Sequence, residues 1–381
     1  MKSGVLPDWR IKELIKEGII IGADPTLVNT SSLDLRVGSK RWKLLGSFLP
    51  LPGQRVEDAL ASRSIVDDYS EKEKFYVDYL QQYIMKLVEQ LKLPDSISAR
   101  VFNKSRRGRI GVSLRALTDG TPHFDVIRRG YEGDIYAEIS STAFPLVIYS
   151  GQTAIPQIRF YEGDIEPISG SQLELLLKSH PILTDNKGER TYTKTEQDEM
   201  IRTGKLAFTA NISKSGLLAY VAGRDRRTLD LSKQGFYTPE EYYKEVRSTD
   251  GKNSILIIHP GDFALVRSKE NIRLPPSVAA EIDEYSPTLG DMKSSYANLI
   301  NSTHGFDPDG SNTPSCVVFE IRARDQPVII QDCQKIAVFS LYPMLAEPEG
   351  RYMNVRSTDF SDLRSILPSE FKKTEFMEGV K

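Results

Sequence analysis

The sequence predicts a mainly β protein made of two similar domains in tandem, and three observations support this fold class. First, one sequence pattern occurs twice, around Glu138 and around Glu320. In each copy a glutamate lies between apolar residues, and an apolar run that follows a proline comes a few residues later. Leu93–Ala99 and Leu274–Ala280 are also similar and lie almost the same distance apart. Second, a length of 381 residues suits two domains of ~100–200 residues each. Third, short apolar runs alternate with Gly, Pro and Asp, as in β-sandwiches and barrels.

The individual elements follow from the spacing of the apolar residues. A first helix is predicted to have Asp8 as its N-cap, an apolar face at Ile11 and Leu14, and an end at Gly18. Ser31–Gly38 alternates apolar and polar residues, which predicts a half-buried strand. Further strands are predicted at Ile135–Ile139, Leu146–Tyr149, Ile155–Phe160, Ile255–Ile258, Phe263–Val266, Cys316–Ile321, Val328–Ile330 and Ile336–Leu341.

Three segments need a separate interpretation. Leu80–Leu91 is ambiguous, because its apolar residues have the spacing of a helix face within a chain of predicted strands. The polar stretch His180–Thr203 is predicted to link a first domain at residues 1–185 to a second at 200–375. Thr238–Val246 is predicted to form a helical insertion in the second domain. The repeat is too long for a solenoid, whose units have ~20–50 residues.

Composition limits the class of protein. Hydrophobic residues make up 39% of the chain, charged residues make up 27%, and the net charge is −2. These values predict a soluble globular protein with no general attraction to nucleic acid or to an anionic membrane. No apolar run approaches the ~18 residues of a membrane span, and the N-terminal residues lack the apolar centre of a signal peptide. Two cysteines cannot build a disulfide framework, so a cytoplasmic location is expected.

The densest basic cluster of the chain is Lys104–Arg109, which includes Ser105 and Gly108. Lys and Arg side chains donate charge-assisted hydrogen bonds to phosphate oxygens, and a glycine lets the backbone turn closely there. A charge run is usually a solvated surface turn, and charge alone leaves that alternative open. The serine within the cluster and Glu138 downstream favour a nucleotide site.

The Lys104–Arg109 cluster, followed by Tyr136-Ala137-Glu138, resembles the motifs of the dCTP deaminase family. Ser31–Gly38 is similar to the opening strand of that family, and His259–Leu265 is similar to its H-P-G-E-x-A-L motif. The resemblance covers nearly the whole chain and is strongest with the long, tandem-domain subgroup. It implies two distorted jelly-roll β-barrels of the dUTPase-like fold with short helices, assembled as a homotrimer, and it favours a strand at Leu80–Leu91.

The resemblance also implies a hydrolase of nucleotide metabolism that converts dCTP into dUTP and ammonia, with Mg²⁺ on the triphosphate and without zinc. Glu138 is the expected catalytic base, because a buried carboxylate with a raised pKa can move protons between the attacking water and the leaving amine. Ser105 and Arg109 are expected to orient that water and to stabilise developing charge. The residues expected to bind substrate are Lys104, Arg106, Arg107, Gly108, Asp125, Tyr136, Ala137 and Gln157.

The residues themselves agree with a mechanism that does not use zinc. Zinc deaminases need an H-x-E sequence together with P-C-x-x-C. None of the four histidines is followed two positions later by Glu, and Cys316 and Cys333 are far from C-x-x-C spacing.

Other activities remain possible alternatives. Val126–Ile135 resembles the V-I-D-x-x-Y-x-G-E-I motif of dUTP diphosphatases, but Arg128 occupies the place of the Asp that activates water. The glycine-rich arm of those enzymes is not found at the chain's last residues, Phe376–Lys381. The alternatives are a dUTP or dCTP diphosphatase, a bifunctional deaminase-diphosphatase, and a nucleotide-binding sensor or scaffold without catalysis.

The second copy departs further from the family pattern. Lys293–Asn298 is similar to the basic cluster and Glu320 follows it, but Asn298 stands where the first copy has Arg109. The second domain is therefore predicted to be degenerate and structural, and His304–Pro308 is predicted to be a turn.

Overall fold

The computed structural model describes residues 3–62, 65–185, 187–212, 217–247, 255–283, 287–305, 315–351 and 366–372. The strands before residue 165 are β1 (Gly4–Val5), β2 (Ile20–Ile21), β3 (Val28–Asn29), β4 (Ser32–Leu44), β5 (Val66–Glu71), β6 (Lys74–Val77), β7 (Tyr83–Lys92), β8 (Ile97–Asn103), β9 (Val112–Thr118), β10 (Val126–Ile127), β11 (Glu132–Ser141), β12 (Leu146–Tyr149) and β13 (Ala154–Glu162).

The strands after residue 165 are β14 (Leu183–Thr184), β15 (Lys205–Thr209), β16 (Leu217–Ala222), β17 (Leu229–Asp230), β18 (Tyr243–Arg247), β19 (Ile255–Ile258), β20 (Ala264–Ile272), β21 (Val278–Ile282), β22 (Met292–Lys293), β23 (Leu299–Ile300), β24 (Ser315–Ala323), β25 (Val328–Gln331) and β26 (Lys335–Pro343). The helices are α1 (Asp8–Lys16), α2 (Val56–Leu60), α3 (Ser105–Gly108), α4 (Gly170–Ser179) and α5 (Lys194–Thr203), and short 3₁₀ turns occur at Pro25–Leu27, Pro239–Glu241 and Pro287–Leu289.

The first half is dominated by one large sheet in the order β10-β8-β13-β4-β7-β11-β9. Strand β11 therefore lies inside the sheet, between β7 and β9. Glu138 of β11 is directly opposite Ile84 of β7 and Arg115 of β9, so these three side chains share one face. This position makes Glu138 an interior residue of the sheet and not an edge carboxylate.

The second half splits its strands among smaller sheets. One has the order β18-β16-β20-β24-β22, another has β15-β26-β21-β23, and β19 pairs with β25. Glu320 of β24 is opposite Leu265 of β20. The repeated stretch has the same element order in both halves, a long strand, a four-residue strand and a nine-residue strand.

The two halves share buried surface. The largest apolar cluster combines first-half residues with Tyr243, Phe263 and Phe371, and β12 pairs in parallel with β17. Arg159 is fully buried and donates to the Ala280 carbonyl at 3.0 Å and to Glu281 Oε1 at 3.1 Å. Because breaking such a buried pair leaves an uncompensated charge, these contacts tie the halves together.

The predicted strands are confirmed, although β4 and β20 extend well beyond their predicted ends, and most of Leu80–Leu91 belongs to the strand β7, which begins at Tyr83. The N-cap prediction is wrong: Pro7 is the N-cap of α1, and the buried Asp8 carboxylate accepts from the backbone N–H groups of Glu349 and Gly350 at 2.9 Å. A partner this distant in sequence gives no local signal.

Two further segments contain regular structure. The predicted linker His180–Thr203 includes β14 and α5. The latter helix starts with a reciprocal capping box between Thr193 and Glu196. Thr238–Val246 forms a 3₁₀ turn and then enters β18, because Tyr243 is buried as in a strand pattern. The predicted turn His304–Pro308 is described as far as Gly305, and Phe376–Lys381 lies outside the described residues. In the described part of the chain, no helix has the length and apolar character to cross a membrane.

Candidate active site

The basic cluster forms a single helical turn, α3, between β8 and β9. Lys104 is its N-cap residue, and the Arg109 N–H closes the turn on the Ser105 carbonyl at 3.0 Å. Asn103 anchors the entry to the turn by donating its side-chain N–H to the Val112 carbonyl at 2.6 Å. Ser105 is exposed, whereas the turn buries Gly108 and Arg109.

The cations of this turn are paired with carboxylates inside the protein. Lys104 Nζ lies 2.6 Å from Asp34 Oδ2. Arg106 and Arg107 both contact Glu370 Oε1, at 2.9 and 2.5 Å. Burial acts to raise the pKa of Glu370, but the two guanidinium groups outweigh it and hold that pKa below its usual value. A surface turn would leave these side chains in water, so the cluster is not a solvated turn but part of an internal network of ion pairs.

Gly108 brings the turn against the second half. A methyl group added at Gly108 would lie 2.8 Å from Glu320 Oε1 and 3.2 Å from Tyr296 Cβ. Such distances are below ordinary van der Waals contact, so only glycine lets the turn pack this closely. The turn that the sequence pairs with Glu138 therefore touches Glu320.

Glu320 is buried next to polar groups. It is 1% exposed, and its Oε2 accepts from the Tyr296 N–H at 2.9 Å. Burial raises the pKa of Glu320 to about 7, although the Tyr296 N–H and the Arg109 and Lys293 cations all act to lower it. Its carboxyl group can therefore exchange a proton near neutral pH.

Glu138 has a different set of neighbours. Its Oε2 accepts from Ser47 Oγ at 2.9 Å. Burial raises the pKa of Glu138, against the opposing effects of Ser47, the Phe48 backbone and Arg115. None of its polar contacts in the described part of the chain reaches Ser105 or Arg109, so a single chain does not bring the predicted trio together.

A cavity of about 200 Å³ lies between the halves. Its lining includes Tyr296, whose backbone N–H binds Glu320, and Arg115, which faces Glu138. The first half contributes Arg115 and Asp125, and the second half contributes Lys293, Tyr296 and Arg324. Three cations with one carboxylate suit an anionic ligand such as a nucleotide phosphate. The cavity also includes part of the similar cluster in the second copy.

The other predicted substrate-binding residues serve mainly to shape this region. Asp125 accepts from the Ala116 N–H at 2.6 Å and pairs with Arg115 at 2.9 Å. Gln157 donates to the Asn103 carbonyl at 3.1 Å and so supports the entry to α3. Tyr136 and Ala137 are fully buried, and neither belongs to the described lining of the cavity.

Sequence reasoning missed four residues that surround these groups. Glu370 pairs with two arginines of the turn, and Tyr243 donates its hydroxyl to the Arg109 carbonyl at 2.7 Å. Ser47 and Arg115 contact or face Glu138. Arg115 lies on β9, a strand that the sequence analysis does not predict. The other three come from segments distant along the chain.

Both halves match models of one protein family. Residues 2–164 match the 2'-deoxycytidine 5'-triphosphate deaminase N-terminal domain, and residues 180–366 match the C-terminal domain of the same protein. A dCTP deaminase, dUMP-forming, of Methanoregula boonei is 31% identical over 163 residues, which are 41% of this chain and 81% of that protein. The corresponding protein of Methanobrevibacter smithii is 31% identical over 154 residues, 39% of this chain and 75% of that protein.

A solved structure agrees with these relatives. The 2'-deoxycytidine 5'-triphosphate deaminase of Agrobacterium tumefaciens superposes with a TM-score of 0.79 and 26% identity, over 90% of this chain and all of that chain. The mainly β architecture is thus the dUTPase-like fold, and the protein is an enzyme of nucleotide metabolism. More particularly, the chain belongs to the dCTP deaminase family.

Proposed function

We propose that this protein removes the 4-amino group of dCTP by hydrolysis and releases dUTP and ammonia. The observation that carries the proposal is the agreement over both halves with the dCTP deaminase family, including a solved deaminase that covers 90% of the chain. The cavity between the halves supports it, because it combines cations for phosphate with nearby carboxylates of raised pKa.

The reaction consumes one water molecule and needs a group that moves protons twice. A carboxylate takes a proton from water as the oxygen bonds to C4 of cytosine, and the electron pair of the ring C=N bond moves to N3. The carboxyl group passes that proton to N3. It then moves the remaining proton of the new C4 hydroxyl to the amine, so the C4–N bond breaks as the C4=O bond forms, and ammonia leaves. A buried carboxylate with a raised pKa suits this shuttle, and Glu138 is the residue that the sequence predicts for it.

The proposed mechanism does not use zinc, in keeping with the absence of the zinc deaminase motifs from the sequence. Within the described ranges, no group of three or more His, Cys, Asp and Glu side chains is arranged to hold a metal. We propose that Mg²⁺ enters with the triphosphate, because Mg²⁺ commonly keeps phosphate oxygens and waters as its ligands. Magnesium would then neutralise phosphate charge beside Arg115, Lys293 and Arg324.

A second candidate product is dUMP. The relatives from Methanoregula and Methanobrevibacter carry the name dUMP-forming, and Asp125 places a carboxylate in the cavity. Release of pyrophosphate would need water activation at the α-phosphate in addition to deamination. Arg128 cannot supply that base, because a guanidinium stays protonated.

The experiment is to incubate the purified protein with Mg²⁺ and separately with dCTP, dCMP, CTP and dUTP, to separate the nucleotides by chromatography and to measure ammonia. We expect dUTP and ammonia in equal amounts from dCTP. Formation of dUMP and pyrophosphate would establish the bifunctional alternative. Tight nucleotide binding without any product would instead identify a sensor or scaffold. We also propose that the protein is a homotrimer with a cytoplasmic location. Light scattering on the same sample tests the trimer.

A further inference from the structure

We propose that Glu320 of the second half is a catalytic carboxylate of the deaminase, acting beside Arg109 of the first half. This inference rests on the proposed function. It assigns the proton transfer to a residue of the second half, which the sequence predicts to be structural. The site is then composite, because the basic turn comes from one half and the carboxylate from the other.

The first argument is the geometry of the contact. Gly108 packs so closely on Glu320 that an added methyl group would stand 2.8 Å from Oε1. Oε2 is fixed by the Tyr296 N–H at 2.9 Å, which orients the carboxylate. The basic turn and the carboxylate are thus held together without a flexible side chain between them.

The second argument is an unsatisfied oxygen. Glu320 Oε1 is buried, and it has no hydrogen-bond partner among the residues that the structure describes. A buried polar atom without a partner costs about 1–3 kcal/mol, so proteins seldom keep one unless water, a ligand or catalysis uses it. A water molecule or the 4-amino group of cytosine would satisfy Oε1 and stand where proton transfer begins.

The third argument is charge. Arg109 is near enough to Glu320 to lower its pKa, yet burial prevails and the pKa rises to about 7. A carboxyl group with that pKa can accept a proton and return it at neutral pH. The Arg109 guanidinium can stabilise negative charge that develops on the ring during attack.

The fourth argument is access. Tyr296 holds Glu320 through its backbone and also lines the cavity between the halves. The cations of that cavity, including Lys293 and Arg324, suit the phosphates of a deoxycytidine nucleotide. Tyr296 therefore connects the cavity with the Glu320 carboxylate.

Glu138 has a different arrangement. Its Oε2 accepts from Ser47, and the Phe48 backbone also bonds the carboxylate. In the described part of the chain its polar contacts come from that loop and from Arg115, without a contribution from the basic turn. The cation beside Glu138 is thus Arg115 of β9, whereas the cation that acts on Glu320 is Arg109 of the basic turn.

The test uses the full chain and the variants Glu320→Gln, Glu320→Asp and Glu138→Gln, with Glu270→Gln as a matched control. Glu270 is also a buried glutamate of the second half, bonded to Thr209 at 2.6 Å and away from the cavity. For each protein we would measure ammonia release at saturating dCTP, the Kd for dCTP and the thermal midpoint. The wild-type measurement tests the proposed function separately.

We expect Glu320→Gln to lower kcat by about 10³-fold with the Kd for dCTP within about tenfold of wild type, because the amide keeps the shape but cannot accept the proton. The control should retain the wild-type rate. A folded Glu320→Gln that keeps the wild-type kcat overturns the proposal, most clearly if Glu138→Gln loses it. If Glu320→Gln does not fold, Glu320→Asp decides, since retreat of the carboxylate from Gly108 should lower kcat at least tenfold, and an unchanged rate excludes the role.

Discussion

At the scale of single residues, two glutamates from the same repeated stretch have different surroundings. Glu138 faces a first-half loop through Ser47, whereas Glu320 faces the basic turn through Gly108. Burial raises the pKa of both carboxyl groups, so proton transfer alone does not distinguish them. The identity of the neighbouring cation does, because Arg115 of β9 acts on Glu138 and Arg109 of the basic turn acts on Glu320.

Arg109 is expected to stabilise charge in the transition state. Arg109→Ala should lower kcat/KM for dCTP by about 10²–10³-fold, the scale of losing one preorganised donor. Steady-state ammonia release measures this loss, with Arg129→Ala as control because Arg129 pairs only with the exposed Asp164 in the described structure. A loss confined to thermal stability would show that Arg109 has a structural role alone.

Glu320 should make stability depend on pH. Its folded pKa of about 7 lies above the ordinary 4.5, so the folded state binds the proton more tightly than the unfolded state. Stability is therefore full below about pH 4.5 and falls as pH rises through about 7, since the folded protein must then bury a charge. Glu320→Gln removes this cost and should gain up to about 3 kcal/mol relative to wild type at high pH.

Denaturant unfolding of both proteins at about pH 5 and about pH 8 measures that gain. An equal difference between variant and wild type at the two pH values would show that the Glu320 pKa is not raised in the folded protein.

At the scale of elements, the turn α3 is the piece that joins the two halves chemically. One face packs Gly108 on Glu320, and another pairs Arg106 and Arg107 with Glu370. A single helical turn can make both contacts because successive side chains of a helix point in different directions. Its stability therefore depends on partners from two distant segments.

Gly108→Ala tests the close packing of this turn. The added methyl group would overlap Glu320 Oε1 and press on Tyr296, so we expect a loss of about 1–3 kcal/mol in the free energy of unfolding. Activity should fall as the carboxylate moves. Gly46→Ala is the matched control, because nothing lies within 4 Å of a methyl group there. Equal stability of the two variants would contradict the contact.

Glu370 tests the C-terminal contact. Glu370→Gln removes the carboxylate charge that Arg106 and the buried Arg107 contact, and it should cost about 3 kcal/mol near neutral pH. Because the folded pKa of Glu370 is lowered, its contribution is present above the ordinary 4.5 and is lost as pH falls through the folded value. Unfolding midpoints across pH measure this, and the exposed Glu349→Gln should change stability by less than about 0.5 kcal/mol. A loss that does not depend on pH would argue against the ion pairs.

At the scale of the whole molecule, the halves form one buried unit around the cavity. Arg159 of the first half is fully buried against Glu281, and apolar residues of both halves share a cluster. A nucleotide in the cavity would contact both halves at once. Binding should therefore stabilise the molecule as a unit, since a ligand bound only by the folded state shifts the unfolding equilibrium.

Metal dependence is a property of the assembled site. Chelation of Mg²⁺ should weaken dCTP binding by about tenfold or more, because the phosphate charge would fall on the cavity cations alone. A zinc-selective chelator should leave turnover unchanged. Calorimetric titration of dCTP with and without Mg²⁺ measures the first effect, and ammonia release measures the second. Stoichiometric zinc in the active protein would contradict the proposed mechanism.

The sequence alone determined the mainly β class, the strands around both glutamates and the family, because these depend on local periodicity and on contiguous motifs. It also located the basic turn Lys104–Arg109 and both glutamates. Period-two alternation and short apolar runs indicate which residues are buried, so the strands around Glu138 and Glu320 can be predicted without a structure.

Only the tertiary structure decided which side chains meet. The contacts of Gly108 with Glu320, of Arg107 with Glu370 and of Asp8 with the Gly350 N–H join residues far apart in the chain. Sequence spacing carries no information about such pairs, because long connections let the chain fold back in many ways. Packing of the two halves selects one of those arrangements, and with it the carboxylate that stands beside Arg109.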